Sequence, residues 1–508
     1  MWMWTSKQSR TATRFSRRDL RVIVPAIGLS LLSQTLAPAA PKPMTEGATV
    51  EAAHSPPGRQ QLGEILTQPS EAAGALQFTR DLADRVGARL AGSKGAELAV
   101  RWALAAMQNA GLSNVHKEPV RVPRWLRGEE SAELVGESLQ PLRVATLGGS
   151  IGTGTAPGGA VASLEAEVVE VDSFEALAQL GDKARGRIVL FNKEMVRSRD
   201  FQGYADVVAL RGRGAVRAAK LGAVAALVRS TGTGFHRQPH TGSMRYEDGV
   251  PRIPAAALAA EDAELVHRRL QSGEVVRIRL RLGARLDGEV DSWNVVGEVP
   301  GRSQADEIVL LGAHLDSWDL GTGALDDGAG CGIVLDTARR MAAAARANPA
   351  QAPRRTVRAV LFMNEELGLS GARAYANAHR SELAKHVAAM EADSGAGAPF
   401  AYRVTGGVPA QKLVQSWMLP FATLVPQDVG LTDEWGADLL PLQAANVPVV
   451  GVAQDVSDYF EWHHTAGDTV DKIRPRELAQ AQAAFFALAY AAASAETRLP
   501  PSPKPPRF

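Results

Sequence analysis

Residues 308–330 have the sequence IVLLGAHLDSWDLGTGALDDGAG, and this stretch decides the fold class of the chain. Its apolar start, residues 308–311, predicts a buried strand that ends just before His314 and Asp316. Its glycine-rich end leads into a predicted helix over residues 329–341. A buried strand followed by a helix is typical of an open α/β sheet, in which functional sites form beyond the carboxyl ends of the strands. We therefore expect His314 and Asp316 to lie at such a site.

The chain after residue 294 continues the same pattern. Further buried strands are predicted at residues 357–363 and 447–452, and further helices at residues 369–378 and 475–493. Strands that alternate with helices indicate a sheet covered by helices. The predicted fold class is therefore α/β.

Carboxylates and histidines collect at the ends of these elements. Five segments supply them: His314, Asp326 with Asp327, Glu365 with Glu366, Glu391 with Asp393, and His463 with His464. Each segment alone has an ordinary explanation, since two adjacent glutamates, for example, usually form a solvated helix start. Together the segments offer the ligands that two zinc ions need, with one bridging carboxylate and a shared water molecule. The inventory matches a two-metal hydrolase.

The composition is that of an ordinary globular protein. The 508 residues exceed the size of a single core, so two or three domains are expected. The 56 Lys and Arg residues nearly balance the 55 Asp and Glu residues, which excludes a strongly basic nucleic-acid-binding protein. Cys331 is the single cysteine, so no intramolecular disulfide and no cysteine-rich zinc module can form. Any metal must be held by histidine, aspartate and glutamate.

The first 40 residues have the pattern of a signal peptide for export to the periplasm or the extracellular space. Basic residues precede an apolar stretch, residues 22–36, which ends in the small residues of an A-x-A-like cleavage site. Residues 16–20, SRRDL, resemble a twin-arginine motif, but Arg21 departs from it, so the ordinary secretory route stays open. Membrane attachment would follow only if this segment stayed uncleaved.

The rest of the chain divides into segments of different composition. The predicted segments are a flexible linker (41–60), a first catalytic part (61–124), an inserted, mainly β module (125–290), a second catalytic part (291–496) and a proline-rich tail (497–508). The first catalytic part contains a predicted helix over residues 96–110. The insert is predicted from short strands at 187–191 and 275–282 and one helix at 215–221, among many Gly and Pro turns. Its histidines, His236 and His240, lack acidic partners at ligand spacing and are predicted to be structural.

These motifs resemble the zinc-dependent exopeptidases of peptidase family M28, most closely the plasma glutamate carboxypeptidase group, also called carboxypeptidase Q or lysosomal dipeptidase. The resembling stretches are residues 312–330, 364–371 (NEELGLSG), 391–395 (EADSG) and 459–469 (YFEWHHTAGDT). Residues 240–254 (HTGSMRYEDGVPRIP) resemble the protease-associated domain that this group carries as an insertion. The resemblance implies a mixed central sheet flanked by helices, and a metallo-exopeptidase, either aminopeptidase or dipeptidase, with two Zn²⁺ ions per chain.

The resemblance also implies a role for each matching residue. The implied ligands are His314 and Asp393 for one zinc ion, Glu366 and His464 for the other, and Asp326 as the bridge between them. Glu365 would be the general base for attack by a metal-bridging hydroxide. The peptide bond between Asp326 and Asp327 is expected to be cis, as in the family.

Two neighbours of the ligands are expected to support them. The carboxylate of Asp316 would accept a hydrogen bond from His314 and fix the orientation of its ring. Of the two adjacent histidines, His464 is preferred as the ligand because it stands four residues before Asp468, as in the family pattern. His463 is then expected either to support the ligands from behind or to pack beside them.

The implied substrate is a dipeptide, or a peptide that loses its N-terminal residue, and relatives in the group form homodimers. Residues 448–455 (PVVGVAQD) lack the arginine of acid-specific family members, so we expect neutral dipeptides to be preferred over acidic ones. Leu439 follows Asp438 where simpler aminopeptidases have a histidine, which fits the carboxypeptidase Q pattern. Two other functions stay open: a catalytically silent binding protein on this scaffold, and a single-zinc cyclase that acts on N-terminal glutamine. Substrate-binding residues are not predicted.

Overall fold

The computed structural model describes residues 73–503, and its centre is a mixed five-stranded sheet. In spatial order the strands are Ser113–Leu126, Arg285–Val299, Arg355–Phe362, Gln304–His314 and His386–Glu391. The first two pairings are antiparallel and the last two are parallel. The predicted α/β class is confirmed. The predicted signal peptide, the linker and the end of the tail lie outside the described residues.

Helices cover both faces of this sheet. On one face, Val309 and Leu311 belong to a core that includes four helices: Ala73–Arg85, Lys94–Asn109, Ala329–Ala347 and Pro475–Ser494. On the other face, Leu310 packs with residues of the helices Ser370–Ala378 and Leu440–Gln443. Successive side chains of a strand point to opposite faces, so a strand that is buried on both faces is apolar throughout. This burial explains the continuous apolar runs in the sequence.

A three-stranded sheet lies beside the central one. Its strands, in spatial order, are Val429–Leu431, Pro399–Val404 and Val450–Gln454, and the helix Gly407–Met418 contacts it. An isolated parallel bridge between Ala389 and Val449 joins the two sheets. The predicted strand at 447–452 therefore begins as this bridge and continues as Val450–Gln454.

Residues 130–282 form a third sheet, and we call this part of the chain the eight-stranded region. In spatial order its strands are Gln140–Leu142, Glu130–Val135, Arg277–Leu282, Leu164–Val171, Ile188–Phe191, Ala225–Arg229, Ala255–Leu258 and Val144–Thr146. Its helices are Phe174–Leu180, Gln202–Ala205, Val208–Ala219 and Ala260–Gln271. The region leaves the central sheet after Ser113–Leu126 and returns at Arg285–Val299, two strands that pair with each other. The predicted helix at 215–221 is longer than expected and begins at Val208, and the last helix was not predicted.

Local chemistry sets the start of the helix Lys94–Asn109. The hydroxyl of Ser93 accepts a hydrogen bond from the backbone N–H of Ala96 at 3.1 Å, which is the role of an N-cap residue. The helix therefore starts before the predicted residue 96. Within residues 73–503, no helix combines the length and the apolarity that crossing a membrane requires.

Candidate metal centre

The predicted ligands meet at one edge of the central sheet. His314 is the last residue of its strand, Glu365 and Glu366 follow Arg355–Phe362, and Asp393 follows His386–Glu391. These three strands are parallel neighbours, so their carboxyl ends lie side by side. The register thus explains why residues far apart in sequence are close in space.

Asp326 lies between two histidines at this edge. Its Oδ1 is 3.0 Å from Nε2 of His314, and its Oδ2 is 3.1 Å from Nε2 of His464. Beyond them, Glu366 Oε2 is 3.2 Å from His464 Nε2, and Asp393 Oδ1 is 3.8 Å from His314 Nε2. Each carboxylate oxygen of Asp326 therefore faces a different histidine, which is the geometry that a bridging carboxylate requires.

The donor set suits zinc. Three overlapping groups have ligand atoms within 4.8 Å of one another: His314 with Asp326 and Glu366, His314 with Asp327 and Asp393, and Asp326 with His463 and His464. Zinc prefers histidine nitrogen and carboxylate oxygen where cysteine is absent. In addition, Oε1 of Glu366 is buried without a hydrogen-bond partner within the described chain, as expected for an atom suited to a metal.

The turn that carries Asp326 is held by two other aspartates. The carboxylate of Asp468 accepts hydrogen bonds from the backbone N–H groups of Leu325 at 2.6 Å and Asp326 at 3.2 Å. The carboxylate of Asp327 accepts from the N–H of His314 at 3.0 Å and from that of Gly330 at 3.0 Å. The peptide bond between Asp326 and Asp327 is cis, as expected.

The predicted hydrogen bond from His314 to the carboxylate of Asp316 is absent. Nδ1 of His314 lies 3.0 Å from the backbone carbonyl oxygen of Asp316 and 4.0 Å from its Oδ1. That Oδ1 instead accepts hydrogen bonds from the N–H groups of Asn364 at 2.6 Å and Glu365 at 3.1 Å. The prediction was wrong because these two N–H groups, just past the end of a strand, need an acceptor and the carboxylate is in reach. Asp316 still orients His314, but through its main chain.

His463 lies closer to the metal centre than a packing role requires. Its ring stacks on that of His464 with centroids 3.5 Å apart, and its Nε2 is 3.5 Å from Oδ2 of Asp326. The choice of His464 as the ligand stays a prediction, supported by the second contact of His464 with Glu366.

Burial and neighbouring charges shift the pKa values of the histidine and carboxylate groups at this site. Burial alone would lower the pKa of His314, but the hydrogen bond to Asp326 and the charges of Asp327 and Asp393 raise this pKa well above its usual value. Burial raises the pKa of Asp327 well above its usual range and, together with the charge of Asp326, raises the pKa of Asp393 to about 6. Burial also raises the pKa of Glu365, aided by the charge of Glu366. Divalent cations would offset this crowding of negative charge.

Arg89 fixes the loop between the first two ligands. The guanidinium donates to three main-chain carbonyl oxygens of this loop: Leu315 at 2.7 Å, Thr322 at 2.6 Å and Gly323 at 2.8 Å. Its side chain is fully buried. Gly323 has φ 59°, and a Cβ there would lie 2.3 Å from Cβ of Ser317 and 2.7 Å from the guanidinium of Arg89, so the loop has no room for a side chain at this position. Sequence patterns gave no indication of this contact.

A cavity of about 140 Å³ opens beside the ligands. One wall carries Glu365, Glu366, Glu391, Asp393, Glu434 and Tyr459, and the eight-stranded region contributes Phe201, Tyr204, Arg211, Ser243 and Arg245. These contributions are functional candidates that sequence analysis did not single out: Phe201, Tyr204 and Arg211 stand in no recognised motif, and the stretch that contains Ser243 and Arg245, residues 240–254, indicated a type of domain without a role for either residue.

The two histidines that were predicted to be structural lie outside the ligand groups. His236 stacks on Trp462 with ring centroids 4.4 Å apart. His240 is buried, its backbone N–H donates to the hydroxyl of Ser230 at 2.9 Å, and burial lowers its pKa to about 3.

The chain is similar to known proteins in both sequence and structure. The model of Peptidase family M28 matches residues 294–489. Carboxypeptidase Q of Mus musculus is 38% identical over 428 residues, which cover 83% of this chain and 86% of that protein. A crystal structure of a peptidase M28 precursor from Shewanella amazonensis SB2B has a TM-score of 0.83 at 40% identity and covers 88% of this chain and 99% of that one. A zinc aminopeptidase from Bacillus subtilis shares the fold, with a TM-score of 0.60 at 20% identity, over 85% of this chain and 97% of that one.

Proposed function

This chain is a metallopeptidase of peptidase family M28, and from that premise we propose that it is an exported di-zinc exopeptidase that cleaves dipeptides or removes N-terminal residues from peptides. The observation that carries the proposal is the position of Asp326, whose two carboxylate oxygens face His314 and His464 separately. The export part depends on residues 1–40, which lie outside the described residues.

The proposed ligand assignment follows the contacts of Asp326. His314 and Asp393 would hold one zinc ion, and Glu366 and His464 the other, with Asp326 shared. Bound zinc would lower the pKa of a water molecule to about 7 and polarise the scissile carbonyl group. The buried, hydrogen-bonded ligands keep a fixed geometry for that chemistry.

Glu365 is proposed as the general base. Glu365 lines the cavity, and its backbone N–H donates to the carboxylate of Asp316. Burial and the charge of Glu366 raise its pKa above the usual value, which suits a group that accepts a proton from the attacking water and returns it to the leaving amine. The side chain thus acts first as base and then as acid.

A small substrate suits the cavity. Its volume of about 140 Å³ and its position between two parts of the chain favour a short peptide over a folded protein. The relatives include a carboxypeptidase Q and a zinc aminopeptidase, and a dipeptide is a substrate that presents both termini at once. We keep the expectation of neutral dipeptides, and of a homodimer, as parts of the proposal.

Elemental analysis and dipeptide hydrolysis, each with and without chelator, test the proposal. We expect two zinc ions per chain and hydrolysis that the chelator abolishes. Glu365→Gln should keep both metals and lose turnover by about 100- to 10,000-fold, whereas Glu137→Gln, an exposed control, should behave as wild type. Retained turnover in Glu365→Gln would remove it from the role of base.

The same measurements separate the two alternatives. Absence of zinc binding would favour a catalytically silent binding protein. One zinc ion per chain with cyclisation of N-terminal glutamine would favour the cyclase.

A further inference from the structure

The cavity has walls of opposite charge. Glu365, Glu391 and Glu434 line the side formed by the second half of the chain, whereas Arg211 and Arg245 line the side formed by the eight-stranded region. Glu434 is buried, and its Oε2 has no hydrogen-bond partner within the described chain. A ligand with a positive and a negative end would complement both walls.

Tyr204 is the residue of the basic wall that lies next to the paired histidines. Its ring stacks on Phe460 with centroids 4.9 Å apart and meets His463 edge-on at 5.4 Å. These contacts fix the ring, and Tyr204 lines the cavity. Tyr204 is only partly buried, so a ligand can reach it.

Arg211 determines whether the hydroxyl of Tyr204 donates or accepts a hydrogen bond toward the cavity. Its Nη2 donates a hydrogen bond to the Tyr204 oxygen at 2.7 Å. An acceptor for the proton of Tyr204 is not found among residues 73–503, so this proton is available to an acceptor in the cavity. Arg211 thereby makes Tyr204 a donor toward the ligand.

Arg211 also brings an uncompensated positive charge. It is 5% exposed, and its Nε and Nη1 have no partner within the described chain. No carboxylate of the described residues lies within ion-pair distance of it. A buried cation without a counter-ion is unfavourable, so its place beside a cavity indicates that an anion completes the site. Arg245, exposed on the same wall, likewise has no ion-pair partner in the described part of the chain.

We propose, resting on the exopeptidase function above, that Tyr204, held by Arg211, binds the C-terminal carboxylate of a dipeptide together with Arg245. The free amino group of the same dipeptide faces the glutamates of the opposite wall. The eight-stranded region then selects substrates by length, because a longer peptide has no carboxylate at this point. Tyr204 and Arg245 touch the substrate, and Arg211 is a positioning residue.

Kinetics on a neutral dipeptide and on the same dipeptide with a C-terminal amide measure the contribution of the substrate's C-terminal carboxylate. Wild-type enzyme should show a kcat/KM at least tenfold higher for the dipeptide than for the amide, the effect expected of hydrogen bonds to a charged group. Tyr204→Phe and Arg211→Gln should each raise KM for the dipeptide about tenfold. The kcat for the dipeptide and the kcat/KM for the amide should stay nearly unchanged.

Three further variants control for indirect effects. Arg211→Lys should recover part of the dipeptide preference, because it keeps the charge. Tyr490→Phe and Arg213→Gln, which remove a hydroxyl and a guanidinium outside the cavity lining, should behave as wild type. Equal losses on both substrates, or an equal wild-type kcat/KM for both, would overturn the carboxylate site.

Binding to the Glu365→Gln enzyme gives a result that does not depend on turnover. By calorimetry, adding Tyr204→Phe should weaken dipeptide binding about tenfold while the amide affinity and the zinc content stay constant. If wild-type enzyme cleaved neither substrate, the proposed function would fail, and this measurement would still decide the carboxylate site. Equal binding of dipeptide and amide would overturn it.

Discussion

Arg89→Met should destabilise the protein and loosen its metal site, although Arg89 touches no proposed ligand side chain. The guanidinium bonds three carbonyl oxygens of the loop 315–323, which joins His314 to the turn of Asp326. Methionine can fill the volume of the arginine stem but donates no hydrogen bond. The three carbonyl groups would remain buried without this partner.

The expected loss follows from the number of these bonds. A hydrogen bond to a charged group contributes about 1.5 kcal/mol at the low end of the usual range, so three bonds contribute about 4.5 kcal/mol. Since natural proteins have a free energy of unfolding of about 5 to 15 kcal/mol, the variant should fold with much reduced stability. Outer groups that orient ligands usually change metal affinity by about 10- to 100-fold, so zinc binding should weaken by a similar factor.

Urea unfolding of chelator-treated protein measures the first effect, and competition with a coloured chelator measures the second. Arg89→Lys should recover less than half of the lost stability, because one ammonium group does not span three carbonyl groups. Arg101→Met, an exposed position on the next helix, serves as the matched control. A loss below about 1 kcal/mol in Arg89→Met, with wild-type zinc affinity, would refute the role of these bonds.

Three other changes have distinct expected outcomes. Asp316→Asn should reduce kcat more than zinc content, because its carboxylate holds the N–H groups of Asn364 and Glu365 rather than the ring of a ligand; elemental analysis beside kinetics checks this. The hydrogen bond and charge of His379 outweigh burial and lower the pKa of Glu118, while the same pair raises the pKa of His379 against the effect of its burial. The stabilisation from this pair is therefore complete between about pH 4.3 and 6.5. It is lost as the pH rises through the raised pKa of His379 or falls through the lowered pKa of Glu118. In urea unfolding, Glu118→Gln should therefore lose more stability, relative to wild type, at pH 6 than at pH 9. Chelator should lower the Tm of the wild-type protein and added zinc should restore it, because the buried carboxylates repel one another without a cation; an unchanged Tm by calorimetry would contradict this.

The clustering of the proposed ligands was predictable because these residues have local sequence signals. His314, Glu366 and Asp393 each stand within three residues of the end of an apolar run, and strands that are buried on both faces are among the clearest patterns in a sequence. The parallel order of those strands then brings the residues together without further information. The fold class and the ligand cluster have the same origin in the sequence.

The cavity wall was not predictable for the opposite reason. Tyr204 and Arg211 reach the site only because the eight-stranded region folds back against Phe460, and no periodic pattern records a contact between such distant segments. Arg89 likewise stands in a short connection between two helices, where nothing marks its long-range bonds. Asp316 shows a third limit, since competition between nearby N–H donors, rather than spacing, decides where its carboxylate binds.

The separation of these two sets of residues has a consequence for selectivity. A metal centre that activates water acts on any peptide bond placed beside it, so the proposed preference for a short substrate requires groups at a distance from the ligands. Tyr204 and Arg211 lie on a part of the chain that contributes none of the proposed ligands, His314, Asp326 and His464 among them. Changes in the eight-stranded region should therefore alter which substrates are cleaved while the metals stay bound, whereas changes at the sheet edge should abolish cleavage of every substrate. On this proposal, reactivity and the selection of substrate length belong to two different surfaces of one cavity.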